Sequence, residues 1–300
     1  MTQLTQLNRV SIAEVVVYTP YFLIGIYLSI RHGFRRSSGW FYLIMFSLAR
    51  LLGAALQLAT INSPDNMNLY IGAMTLEAIG LSPLILIGLG LLSRVLQSAT
   101  RVRGADSLLL QPKMFRLVQL VLLAGLILGI VGGSQIGDEV GSDPSVTTSA
   151  QGYQIPTTSQ AGTGCMIAGY GLLVLFAALM SVHVRHAEPG EKRLLLAIVL
   201  ALPFVGVRMV YAALVTFDSQ NPEFRQYGGS GDHRYMIGMS VVMEMVAVLI
   251  YEVFGLMTQQ RPKHDVQQQE LPARGMNKLE SGEYQRQGQR SEGYARPGAF

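Results

Sequence analysis

The sequence predicts an all-α, polytopic membrane protein with seven transmembrane helices, and three observations predict it. Half of the 300 residues are hydrophobic and only 14% are charged, where soluble domains carry about 25% charged residues. The apolar residues gather into seven runs, at about 10–30, 40–60, 70–92, 115–133, 163–182, 194–216 and 235–257. A run of roughly 21 residues rises ~31 Å as an α-helix, which matches the hydrocarbon thickness of a bilayer. The third observation is the placement of the basic residues. Of 23 Lys and Arg, 18 follow the first, third, fifth and seventh runs, whereas Arg9, Arg225 and Arg234 lie on the opposite side. The positive-inside rule then puts the N-terminus outside and the C-terminus in the cytoplasm. The chain divides accordingly into an extracytoplasmic lead (1–9), a seven-helix domain (10–257) and a cytoplasmic tail (258–300). The tail is rich in Gln, Gly and charge and is expected to be disordered.

The same patterning excludes several classes. The net charge of +4 reads as topology determinants and contacts to anionic lipid, not as a nucleic-acid surface. The single cysteine, Cys165, rules out an internal disulfide. No basic region precedes the first run, which is therefore expected to stay as an anchor and not to be cleaved as a signal peptide.

The runs differ in what they carry. The first holds Glu14, expected to reach the headgroup region, and Pro20, expected to kink the helix. The second holds a polar and small-residue stripe, Ser47, Arg50, Ala54 and Gln57, at spacings of three, four and three that place it on one face. Trp40 and Tyr42 are expected at the inner membrane interface. The third run holds Glu77, then Gly80, Ser82 and Pro83. Pro83 cannot donate to the carbonyl of Ile79, so a kink is expected one turn beyond the carboxylate. The fourth run is the shortest and carries Gly125, Gly129 and Gly133 along one face, a strip suited to close helix contact within the bundle or to homo-oligomer formation. The segment 134–163 reads as a mobile outer loop. The fifth run ends in His183-Val-Arg185-His186, and no third ligand accompanies these histidines, so no metal site is expected. The sixth run holds Pro203, Arg208 and Tyr211. The seventh holds Glu244, Tyr251 and Glu252. Glu252 is close enough to the helix end to snorkel, whereas Glu244 is not.

The two halves share an order. Arg50-Leu-Leu-Gly-Ala54-Ala55-Leu56 corresponds to Arg208-Met-Val-Tyr-Ala212-Ala213-Leu214, and Glu77 followed by Gly88-Leu89 corresponds to Glu244 followed by Gly255-Leu256. This predicts a 3+1+3 parallel repeat. A charge at the bilayer centre costs roughly 2.5–3.5 kcal/mol on insertion scales, so Arg50, Glu77, Arg208 and Glu244 are expected to converge on one interior cluster. The cluster can form through pairs within each half, Arg50 with Glu77 and Arg208 with Glu244, which helical depth supports, or through cross-half pairs. Ser47, Gln57, Pro83, Tyr211 and Tyr251 are the secondary candidates around it.

These residues carry a resemblance. Gly39-Trp40, Phe46-Ser47-x-x-Arg50-x-x-Gly53, Glu77-x-x-Gly80-Leu81-Ser82-Pro83-Leu84, Gly206-Val207-Arg208-x-x-Tyr211 and Met243-Glu244 resemble an uncharacterised family of fungal seven-helix integral membrane proteins. The similarity covers about residues 10–257 and implies fold and topology. A weaker similarity to the RTA-like lipid-translocating exporters rests on the Arg–Tyr segment of the sixth helix and the late Glu and Met residues. The acidic Phe-Asp pattern of those exporters has no counterpart in the seventh run.

The expected function is transport or export of a lipid or small amphipathic molecule, using the buried Arg/Glu cluster, with Glu77 or Glu244 able to take up a proton or cation. The alternative is a seven-helix receptor or sensor coupling an outer ligand site to a cytoplasmic partner, although Asp-Arg-Tyr and Asn-Pro-x-x-Tyr signatures are absent. No Ser–His–Asp set lies at one depth, so an enzyme is not expected, and the last helix has no lysine for a retinal Schiff base. No cofactor is expected.

Overall fold

The computed structural model describes residues 5–32, 38–63, 66–103, 112–142, 155–183, 189–218, 224 and 233–258. All the regular structure among them is helical: α1 (Gln6–His32), α2 (Ser38–Ala59), α3 (Met67–Ile79), α4 (Leu81–Arg103), α5 (Pro112–Ser142), α6 (Thr157–His183) and α7 (Pro189–Phe217). The last helix, α8, runs over residues 233–257. Its Met236–Val242 stretch is π-wound, between α-helical His233–Tyr235 and Met243–Met257. The tail, along with Arg185 and His186, lies outside the described residues.

Seven of these helical spans are long and apolar enough to cross a membrane, with α3 and α4 together forming the third. The outer surface agrees with that reading. Val16, Leu23 and Ile30 on α1 and Val182 on α6 are all more than half exposed, which hydrocarbon tolerates and water does not.

Antiparallel packing follows the chain. Along α1 and α2, Asn8 meets Gln57, Glu14 meets Arg50, and Tyr18 meets Phe46. α5 and α6 cross closely because both are glycine-rich there. A Cβ on Gly162 would sit 2.9 Å from the Gly125 carbonyl oxygen and 2.9 Å from the Gly129 nitrogen. The glycine strip is therefore filled from within the chain: Gly125 and Gly129 lie against α6, and Gly133 against Thr75 of α3.

The interior belongs to α4. Every residue from Gly80 to Leu92 is buried, so this helix is apolar on all sides and is enclosed by its neighbours. At Gly88 it lies against Leu173 of α6 and the Tyr251 hydroxyl of α8. Ser82 satisfies its hydroxyl by donating to the Leu122 carbonyl of α5 at 3.1 Å.

The structure departs from the sequence reading at several places. The fourth span is not the shortest: α5 has 31 residues. Its polar extension stays helical because Ile136 is buried, Gly137 packs on Ile71, and Gln135 accepts from Thr158 at 2.8 Å. Much of the expected 134–163 loop is thus helix, leaving 143–154 outside the described residues. Trp40 is not an interfacial anchor. It is fully buried, stacked on His32 with ring centroids 5.5 Å apart, and seated over Gly255, where the missing side chain makes room for the indole.

Candidate functional site

Five charged residues from five helices meet inside the bundle. By helical rise, Glu14, Arg50, Glu77, Arg208 and Glu244 each lie ~12–17 Å along their helices from the face that holds the N-terminus of α1. Helical periodicity brings them there. Ser47, Arg50, Ala54 and Gln57 form the stripe on α2, and all four are buried, with Leu52 turned outward. α1 presents Asn8, Ser11, Glu14 and Tyr18 at spacings of three and four, all buried as well.

Glu244 is the hub. Its side chain is fully buried, and its two carboxylate oxygens are divided between two arginines. Oε2 faces Nη2 of Arg50, and Oε1 accepts from Nε of Arg208 at 2.5 Å. Arg50 also lies 3.8 Å from Glu14 through Nη1, and its guanidinium sits 5.7 Å from the Phe46 ring centre. Arg208 sits 5.7 Å from the Tyr211 ring centre, within the range of a cation–π contact. Arg208 therefore pairs within its own half, and Arg50 takes the cross-half alternative. Arg50 reaches across to Glu244 and down to Glu14 because its stripe on α2 faces α1 and α8.

Glu77 is electrostatically coupled to Arg50, Arg208 and Glu244. Among the described residues it makes no ion pair, and its buried Oε1 has no hydrogen-bond partner. It stands beside a tightened turn of the third span, where Gly80 keeps helical dihedrals (φ −55°, ψ −29°). The Gly80 amide donates to the Glu77 carbonyl at 3.3 Å, a tightened i to i−3 bond, and the helix restarts at Leu81. Pro83 has no amide to offer the Ile79 carbonyl. Glycine at 80 leaves room for the arginine, since a Cβ there would lie 2.9 Å from Nη2 of Arg50. The missing side chain thus admits the guanidinium against the main chain. On α8 the π-wound Met236–Val242 turn ends immediately before Met243 and Glu244. Irregular turns of this kind are enriched at functional sites.

The secondary candidates surround this centre. Ser47 is buried with its hydroxyl unpaired, one turn from Arg50. Gln57 donates to Asn8 at 3.3 Å and closes the polar stripe toward the N-terminal face of the bundle. Tyr211 flanks Arg208. Tyr251 lies two turns along α8 from Glu244, fully buried over Gly88, with its hydroxyl unpaired.

Two acidic residues sit where the sequence reading did not place them. Glu14 is 8% exposed and belongs to the cluster, not to the headgroups. Its signal was present: Asn8, Ser11, Glu14, Tyr18, Tyr21, Gly25 and His32 trace a helical stripe along the first run. Glu252 does not snorkel. It is 1% exposed, and neither carboxylate oxygen has a hydrogen-bond partner. Among the described residues, no group of three or more His, Cys, Asp or Glu is placed to hold a metal ion.

Seven apolar spanning helices enclosing a charged centre define a multi-pass integral membrane protein. The chain belongs to the family described as Domain of unknown function (DUF7702), whose model matches residues 4–261. No curated protein and no solved structure matches the chain.

Proposed function

We propose that this protein moves a lipid or a small amphipathic molecule across its membrane, with the Arg50, Glu77, Arg208, Glu244 and Glu14 cluster as the polar half of the binding site. The observation that carries the reading is Glu77 beside the tightened turn at Gly80. The span stays helical through Gly80 (φ −55°, ψ −29°), Pro83 leaves the Ile79 carbonyl without its amide donor, and the buried Oε1 of Glu77 has no hydrogen-bond partner. Unpaired polar groups at membrane depth are costly and mark substrate or ion pathways.

The charge count bears on the cargo. Three carboxylates face two guanidiniums, so the centre has one carboxylate more than it can neutralise. That balance favours a cargo with a cationic or zwitterionic head, or a cation that travels with it. The resemblance to lipid-translocating exporters points the same way. Arg50 and Arg208 both pair with Glu244, which leaves Glu77 as the carboxylate without an ion pair among the described residues. In this reading the N-terminus faces outward, the cluster opens toward the outer leaflet, and the residues bind and release without bond chemistry.

The test is purified full-length protein in phosphatidylcholine vesicles, with fluorescent phosphatidylcholine in one leaflet. Accelerated exchange between leaflets that is lost in Glu77→Gln supports the proposal. Exchange at the rate of empty vesicles, across zwitterionic and cationic probes alike, overturns it. A probe-dependent change in protein fluorescence without exchange would favour the receptor reading.

A further inference from the structure

One buried carboxylate lies outside the charge cluster. Glu252 of α8 is 1% exposed, and neither of its oxygens has a hydrogen-bond partner. Its surroundings follow from the helical period. Met245 stands two turns before it and Gly255 about one turn after it, so the three share one side of α8. That side packs on α1. Tyr21 donates to the Met245 carbonyl at 3.3 Å, and Nε2 of His32 lies 3.3 Å from the Gly255 carbonyl. The His32 ring stacks on Trp40 with centroids 5.5 Å apart, and the Trp40 indole lies over Gly255. Aromatic side chains therefore bracket Glu252 along the seam. Tyr21 makes its contact on the side toward the cluster, and the His32–Trp40 stack lies on the side toward Met257.

A packing role needs no carboxyl at this position, because a leucine would fill the space without the cost of desolvating an ionised group. A cation from outside the chain offsets that cost, since the protein's own are engaged elsewhere. Arg31 donates to the Leu256 carbonyl at 3.1 Å, and Arg50 and Arg208 are held by Glu244. The neighbours decide which cation fits. A hard metal ion takes about six or more oxygen ligands, and among the described residues no group of three or more His, Cys, Asp or Glu is placed to hold one. The Tyr21 hydroxyl and His32 Nε2 are engaged with main-chain carbonyls, which leaves their rings to form the walls. One carboxylate among tyrosine and tryptophan rings is the chemistry that holds an organic ammonium. The charge meets the carboxylate, and the N-methyl or N–H groups meet the π faces.

We propose that Glu252 binds a monovalent organic cation of the alkylammonium class at the α1–α8 seam, between the Tyr21 ring and the Trp40 indole. The site is separate from the charge cluster, since Glu252 lies ~12 Å of helical rise from Glu244. It is only ~8 Å from the end of α8. The cation enters from that end, where His32 and Trp40 cover the carboxylate. Binding stands on the seam alone. Its use as a station for the cationic head of a cargo rests on the transport function proposed above.

Trp40 is the only tryptophan in the chain, so tryptophan fluorescence reports on this seam. The experiment titrates purified full-length protein with tetramethylammonium chloride, against sodium chloride at equal ionic strength. Wild-type protein should give a saturable change that sodium does not produce. Glu252→Gln, nearly isosteric, should abolish it, and Glu77→Gln should keep it. Tyr21→Leu, which keeps apolar bulk without the ring, should weaken binding ~2–30-fold, and it decides the matter if Glu252→Gln does not fold. No saturable change, an equal change with sodium, a change undiminished in the folded seam variants, or a change lost in folded Glu77→Gln overturns the proposal. Phosphatidylcholine exchange is measured with the same preparations in vesicles. Binding without exchange supports the site and removes the transport function. Exchange without binding overturns the site and leaves the transport function.

Discussion

Replacing Glu244 by Gln is the sharpest test of the charge centre. The change keeps the side chain's shape and removes the one charge that both arginines share. Arg208 then has no carboxylate at contact distance among the described residues, and Arg50 keeps only Glu14, at 3.8 Å. Removing one partner of a buried pair costs ~3–5 kcal/mol. At ~2–4 °C per kcal/mol for a chain of this size, Tm should fall by ~6–20 °C. Arg50→Met should cost a comparable amount. The double variant Arg50→Met with Glu244→Gln should cost less than the two singles added, with a coupling of ~0.5–3 kcal/mol. The same cycle with Glu77→Gln in place of Glu244→Gln should give a smaller coupling, because Arg50 does not pair with Glu77. Thermal unfolding of the detergent-solubilised variants, followed by circular dichroism, reads all of these. A Glu244→Gln protein that melts with the parent, or a cycle that adds without coupling, would refute the hub.

Other perturbations address the packing and the topology. Gly162→Ala should destabilise by ~1–3 kcal/mol, because its Cβ meets the backbone of Gly125 and Gly129; Gly164→Ala, which meets nothing within 4 Å, should melt like the parent. Gly255→Ala should lower Tm by pushing the Trp40 indole from its seat, with a change in tryptophan fluorescence that Gly164→Ala does not produce. Epitope tags at the two ends, probed before and after permeabilisation, should show the N-terminal tag from outside intact cells and the C-terminal tag only after permeabilisation; a tail tag visible on intact cells would reverse the topology.

The class of fold was legible because spanning length and apolarity are local properties of the sequence. The runs around Trp40–Thr60 and Leu194–Thr216 land within a few residues of helical boundaries. The stripe on α2 was legible for the same reason: a period of 3.6 says which residues share a face. What lies across from a face is not local. Glu14 and Glu77 both lie within reach of Arg50 by depth, and helix rotation decides that Glu14 comes within 3.8 Å while Glu77 stays back. Distance from a helix end was also a poor guide to exposure. Glu252 is five residues from Met257, yet it is buried, with Trp40 of α2 and Leu28 of α1 packed on Gly255 beyond it. The turn at Gly80 was half legible. Pro83 signals a missing hydrogen bond, but the reason for glycine, an arginine laid against the main chain, comes from another helix.

The division of Glu244 between two arginines also sets a timetable for biosynthesis. Arg50 leaves the ribosome in the second span and Arg208 in the sixth, whereas Glu244 arrives only with the seventh. Until then the nascent protein holds two guanidiniums in or near hydrocarbon without their shared counter-ion, at a cost that grows with the sixth span. The final helix is therefore the step that gives both arginines their shared carboxylate. A chain cut short before it would leave Arg208 without a carboxylate at contact distance among the described residues.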